Sequence, residues 1–387
     1  MAYTTAFKTK SEIVPCTNLR ADGIYPVALD IGYSSVKGMA PFCRFCFPSY
    51  VREHSGSLVG TPQRGDILYR NEAGQIYAVG SLALDSVSAR DTNEASNTLF
   101  GRNRYNTPAF LILARVGMGI AMKHNGMGGY GKDDRLYLQT GLPPAYRKAD
   151  TPALVDALSG RHVFSIRLGS GKWVDFDFTL DAGSIHVLDQ PIGSVFSATK
   201  RSNGKTVEAS NGKTYIDSRT LVLDGGFGTL DVYSISNRSI DGSNTFNDLG
   251  MKAIFERTAA DIFQQYGKEV YAHTLQPFLE TGRISVFDRK TKSSAEHDIS
   301  PILERNTALV CDLAMTKVEN AYNDLEDYDY LIVTGGTGTA WLPHLKQRYQ
   351  RMETLEIVCA NQNEPISPIY SNVRGYYIFR ALSGAGK

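Results

Sequence analysis

A chain of 387 residues is expected to form two or three domains. Hydrophobic residues at 42% and charged residues at 21% fit a globular protein and exclude a disordered or fibrous one. The net charge of +1 gives no electrostatic basis for direct nucleic-acid or membrane binding, so any link to DNA needs a second protein.

The longest apolar stretch, 108–122, is interrupted by Arg115 and is too short to cross a bilayer. No apolar signal core opens the sequence, which makes the cytoplasm the default location. The cysteines at 16, 43, 46, 311 and 359 are odd in number and scattered, against a disulfide framework. Cys43 and Cys46 form a C-x-x-C, but two further zinc ligands at suitable spacing are missing.

In chain order, residues 1–25 show no period and read as a polar extension. Val27–Lys37, VALDIGYSSVK, is an apolar strand, then Asp30 and Gly32, two serines, and Lys37 seven residues after the aspartate. Alternation from Met39 to Val51 predicts further strands, including Phe47-Pro48-Ser49. Residues 52–75 are punctuated by Gly56, Gly60, Pro62 and Gly65, and 84–106 are polar and irregular.

Thr107-Pro108 opens a helix that runs to His124, with Thr as N-cap and Pro in the first turn. The four glycines of 125–132 predict a mobile loop. Arg135–Thr140 is a strand that turns at Gly141–Pro144, and 161–188 alternate as two or three antiparallel strands. Asn-Gly-Lys-Thr occurs at Asn203 and again at Asn211, with tight-turn chemistry. It marks an exposed insertion, either a plain surface loop or a filament or partner contact.

Leu221–Ile235, LVLDGGFGTLDVYSI, repeats the first design: strand, Asp224, glycine-rich turn, strand. From 249 to 266, Met251, Ile254, Phe255, Thr258, Ile262, Phe263 and Tyr266 line one helical face that ends at Gly267. Ser300-Pro301 starts a helix that reaches Leu325. Leu331–Gly338, LIVTGGTG, is a third strand-to-glycine turn, ahead of a short helix.

Glycine turns permit positive φ and close backbone approach, and their amides can cradle an anion. An acidic residue at the rim repels bare phosphate but suits a hydrated magnesium ion held between carboxylate and phosphate. The competing reading is local hydrogen bonding, for which aspartate often precedes glycine. Two aspartates at matched positions, with Lys37, favour the nucleotide reading. None of the turns fits G-x-G-x-x-G or a P-loop.

With these residues in hand, the sequence resembles the actin/Hsp70/sugar-kinase superfamily, and within it the ParM/StbA group of bacterial actin-like proteins. Asp30–Lys37 resembles the first phosphate motif, Asp224–Asp231 the second, and Thr334–Gly338 the adenosine motif. Phe47–Ser49, Tyr77–Ala83, Asp189–Ser194 and Asn372–Tyr377 extend the resemblance over residues 26–380.

The resemblance implies an α/β, two-domain actin-like ATPase fold, each domain a mixed sheet flanked by helices. Residues 1–25 would be an extension, 26–217 with 366–387 domain I, and 218–365 domain II. It also implies ATP or GTP with Mg2+, the ion held through water by Asp30 and Asp224.

Nucleotide contacts would come from Gly32, Tyr33, Ser34, Ser35 and Lys37, from Gly225, Gly226, Phe227, Gly228 and Thr229, and from Gly335, Gly336, Thr337 and Gly338. The serines and Thr229 would bond phosphate oxygens. Gln190 falls where ParM has glutamate. A glutamine is too weak a base to deprotonate an acceptor, but it can orient a water for in-line attack.

The function implied is a polymerising ATPase that segregates plasmid DNA through a ParR-like DNA-binding adaptor at the filament ends. Alternatives are a small-molecule kinase of the same fold, with Asp189 as base, and a nucleotide-binding scaffold without turnover.

Overall fold

A computed structural model of the chain describes residues 3–54, 62–85, 102–361 and 364–384. These form two compact units. One runs from Lys10 to Thr214 and resumes at Ala360; the other holds the residues up to Thr9 and Tyr215–Cys359.

The larger unit is built on a six-stranded sheet ordered β1 (Glu12–Pro15), β4 (Cys43–Pro48), β3 (Ser35–Ala40), β2 (Ile24–Ile31), β8 (Arg135–Leu142), β11 (Ile185–Asp189). Strands β2, β8 and β11 are parallel neighbours, and the rest pair antiparallel. Val27, Leu29 and Leu138 are buried in the main core with Leu113, Val116 and Ile120 of a helix over Pro108–Met122. Thr107 Oγ1 caps that helix by accepting from Phe110 N at 3.2 Å. On the other side Ala28, Met39 and Cys46 meet Val373, Tyr376 and Tyr377 of the last helix, Ser371–Gly384.

A second sheet in this unit, ordered β10 (Val174–Leu180), β9 (Gly160–Leu168), β6 (Ile67–Asn71), β7 (Ile76–Val79), β5 (Val51–Glu53), is antiparallel throughout. The alternation of 161–188 thus covers one hairpin, while β11 leaves it to join β8 in parallel. A period of two reports pleating but not the sheet a strand belongs to.

The smaller unit has one five-stranded sheet, β14 (Ser239–Asn247), β13 (Thr229–Ser236), β12 (Thr220–Gly225), β17 (Tyr330–Thr334), β18 (Glu356–Cys359). Its helices cover Met251–Tyr266, Ser300–Ala321 and Gly335–Arg348, and a separate hairpin pairs Arg283–Asp288 with Ser293–Asp298. The first helix ends at Gly267, as predicted, and that glycine takes the left-handed conformation with φ 64°. Phe263 departs from the predicted buried face at 59% exposure, while Ala259 is buried instead. At 100° per residue, Phe263 falls at the edge of the stripe centred on Phe255 and Ile262.

Several local expectations change. The extension is structured: Thr4 Oγ1 donates to Leu279 O at 2.8 Å and Phe7 enters the smaller unit's core, whereas Glu12–Pro15 adds an edge strand to the larger unit's sheet. Segments this short are below the reach of periodicity.

The glycine loop 125–132 is pinned. Asn125 donates to Phe42 O at 2.9 Å and accepts from Met127 N at 2.8 Å, and Asp134 accepts from Gly131 N at 2.9 Å. The two Asn-Gly-Lys-Thr copies form the same turn twice, with Asn203 Oδ1 accepting from Lys205 N and Asn211 Oδ1 from Lys213 N, both at 3.0 Å. Gly56, Gly60 and most of 84–106 lie outside the described residues.

Candidate functional site

The two aspartate hairpins have the same construction. In each, the first strand ends one residue after the aspartate and the second begins five residues after it: β2 and β3 around Asp30, β12 and β13 around Asp224. One backbone bond closes each turn, Gly32 N to Ser35 O at 3.0 Å and Gly226 N to Thr229 O at 2.9 Å. The residue seven positions on lies directly across the ladder. It is Lys37 opposite Asp30 and Asp231 opposite Asp224.

The electrostatics then diverge. Lys37 Nζ is 3.3 Å from Asp30 Oδ2, so the lysine meets the carboxylate beside its own loop. Asp224 and Asp231 are 3% and 4% exposed, a buried pair of carboxyl groups, an arrangement that costs stability when both are charged. Asp224 Oδ1 lies where it meets the first turn of Gly335–Arg348, 2.9 Å from the place of a Cβ on Gly335. Asp231 accepts from Thr229 Oγ1 at 3.0 Å and Thr245 Oγ1 at 2.6 Å, and burial raises its pKa above the usual carboxylate range against these bonds.

Because Thr229 donates to Asp231, its hydroxyl meets any ligand as an acceptor. That suits a water of a hydrated cation better than the phosphate oxygen predicted for it. Ser35 is buried and its hydroxyl faces the Cys46 thiol, leaving Ser34 as the more exposed of the two serines. Tyr33 and Phe227 occupy equivalent loop positions, and Tyr33 carries the Arg104 guanidinium 4.8 Å above its ring.

The third glycine turn is the first turn of a helix. Gly335 has φ 77°, and a Cβ there would lie 2.3 Å from Gly225 O. Gly225 in turn would put a Cβ 2.5 Å from Gly338 N. These glycines let the strand end and the helix start meet at backbone distance. Gly336 differs, since a Cβ there meets nothing within 4 Å. The Thr337 hydroxyl, predicted to touch nucleotide, donates to Gly226 O at 2.6 Å.

Gln190 opens the helix Gln190–Thr199, directly after Asp189 at the end of β11. The segment is therefore a strand-to-helix junction. Asp189 Oδ1 is 2.5 Å from Arg147 Nε. Two of the smaller motifs quoted above, Asp189–Ser194 and Asn372–Tyr377, meet here. Ser194 donates to Asn372 Oδ1, Arg374 donates to Ser197 O at 2.6 Å and Lys200 O at 2.8 Å, and a Cβ on Gly375 would lie 1.8 Å from Gly193 O. The last helix thus fixes the helix that starts at Gln190. Asn372 and Arg374 were given no role from sequence, because their partners are far away in the chain.

Among the described residues no group of three or more His, Cys, Asp or Glu could hold a metal ion. Two carboxylates with phosphate oxygens do not require such a cluster. Cys43 and Cys46 face opposite sides of β4, one in each packing layer, so this C-x-x-C cannot chelate. Burial pushes the Cys46 thiol up to about 11. Among the described residues no helix is long and apolar enough to cross a membrane.

The family model for the actin-like proteins' N-terminal domain matches residues 28–193. No curated protein matches the chain. Among solved structures, a non-polymerisable quadruple mutant of pCBH ParM is similar with a TM-score of 0.70 at 18% identity, covering 92% of this chain and 99% of that one. A 15-stranded ParM filament from Clostridium botulinum gives 0.69 at 18%, with 92% and 99% covered. The archaeal actin homologue Ta0583 in complex with ADP gives 0.62 at 16%, with 93% and 100% covered. The chain has the actin-like fold of ParM and its relatives, and its residues 28–193 match that family's amino-terminal domain.

Proposed function

We propose that the chain is a filament-forming actin-like ATPase that binds a magnesium nucleoside triphosphate, ATP or GTP, through its two aspartate hairpins. The doubled hairpin carries this reading, with the same turn bond and the same register built from unrelated residues. A turn needed only for connection has no reason to be built twice to one plan.

The loop acceptors also fit. Gly226 O takes Thr337 Oγ1, Phe227 O takes Lys252 N, and Gly32 O takes Ser49 Oγ. With carbonyls drawn inward, the loops meet an anion with N–H groups. Asp30 and Asp224 would hold a magnesium ion through water, and the ion would supply positive charge to the phosphate oxygens. Gln190 orients the attacking water.

The kinase alternative is disfavoured by the ion pair between Asp189 and Arg147, which occupies the carboxylate that a phosphotransferase would use as base. In the proposed role the polymer segregates plasmid DNA in the cytoplasm through a DNA-binding adaptor at its ends. Sedimentation with magnesium and ATP, GTP or neither tests the reading. Pelleting that depends on nucleotide is expected; none with either nucleotide refutes it.

A further inference from the structure

The equivalence of the hairpins extends to a residue outside each of them. Ser49, at the end of the Phe-Pro-Ser run after β4, donates Oγ to Gly32 O at 2.8 Å, and its N–H donates to Ser34 O at 3.0 Å. Thr337 donates Oγ1 to Gly226 O at 2.6 Å. Gly32 and Gly226 occupy the same place, two residues after their aspartates. Each also lies close to the carbonyl five residues after the aspartate: a Cβ would be 3.0 Å from Ser35 O and 3.2 Å from Thr229 O.

Both hydroxyl residues are buried, Ser49 at 3% and Thr337 at 1% exposure. They come from unrelated elements, the end of a strand in one case and a helix first turn in the other. We infer that Ser49 and Thr337 are matched positioning residues. Each holds the carbonyl at the second position after the aspartate turned into its own unit, so that the loop presents N–H groups to phosphate.

The physical basis is the peptide plane. Carbonyl and following N–H are rigidly coupled, so fixing Gly32 O fixes the Tyr33 amide, and fixing Gly226 O fixes the Phe227 amide. Released, either plane can rotate and offer oxygen to the anion, replacing attraction by repulsion. Gly226 O has a second donor in Met251 N at 3.2 Å, whereas Gly32 O has Ser49 as its side-chain donor. The loss of Ser49 is therefore expected to be felt more.

This inference rests on the nucleotide reading above. The test compares Kd for the magnesium triphosphate and for its nucleoside in wild type, Ser49→Ala, Ser49→Thr, Thr337→Val and Thr337→Ser. Loss of one hydrogen bond predicts triphosphate binding weakened about tenfold in Ser49→Ala and about threefold in Thr337→Val. Nucleoside binding should not change, and the hydroxyl-retaining variants should stay within twofold of wild type. A merely structural role would weaken both ligands together or lower stability without touching affinity.

A wild type that binds no triphosphate removes the functional reading and this inference with it. Wild-type binding with equal triphosphate affinity in Ser49→Ala and Thr337→Val overturns the inference alone. If Ser49→Ala fails to fold, the nearly isosteric Thr337→Val decides. Loss of fold in both also overturns it, since the hydroxyls would then serve the fold.

Discussion

Gly335 and Gly336 are adjacent and chemically identical, yet only one is required by the fold. Gly335→Ala places a Cβ 2.3 Å from a backbone carbonyl at φ 77° and should cost about 2 kcal/mol or more, read as a lower urea midpoint. Gly336→Ala meets open space inside a helix and should leave stability equal or slightly higher. If a nucleoside packs there, the same change should weaken nucleotide binding at unchanged stability, and unchanged affinity would remove Gly336 from the site. Asp224→Ala should weaken magnesium-nucleotide binding at least tenfold by calorimetry; an unaltered affinity counts against the metal assignment. Gln190→Ala should slow phosphate release while binding and assembly persist, and equal turnover would refute its role.

At the scale of elements, Arg348 ties the helices Ser300–Ala321 and Gly335–Arg348 through Glu319, and through Asp312 at 3.2 Å. Arg348 Nε and Nη2 bond the two Glu319 oxygens at 2.7 and 2.6 Å, and Tyr349 donates to Glu319 at 2.7 Å. The Arg348 bonds, opposed by partial burial and helped by Tyr349, hold the Glu319 carboxyl below the usual glutamate range. A depressed folded-state pKa stabilises above the unfolded value, about 4.3, and that contribution is lost as pH falls through the folded one. Glu319→Gln should cost about 1 kcal/mol at pH 7 after solvent screening, and the gap to wild type should close as pH drops below 4. Urea unfolding at pH 7 and at pH 3 measures both; a gap that stays constant or widens in acid is the contrary result.

For the whole molecule, a ligand that binds only the folded chain stabilises it by about 2.7 kcal/mol at a hundred times its Kd. Magnesium with ATP or GTP should accordingly raise the melting temperature. Nucleotide without magnesium should raise it less, because the carboxylates then face phosphate directly. No shift with either nucleotide would argue that the hairpins serve another anion.

What the linear sequence determined was whatever is local. An apolar run ended by aspartate and glycine specifies a strand and its turn; that Lys37 and Asp231 sit across the ladders from Asp30 and Asp224 came from the pairing of the strands. The cap at Thr107 and the stop at Gly267 were equally legible, because capping involves residues within one turn. Tertiary structure decided what depends on partners distant in the chain. It assigned the Thr337 hydroxyl to Gly226, turned Thr229 toward Asp231, pinned the glycine loop after Met122, and set Asn372 and Arg374 behind Gln190. A side chain's type fixes the bonds it can make, but which partner it meets depends on which strands and helices come together, and that is a property of the packed chain.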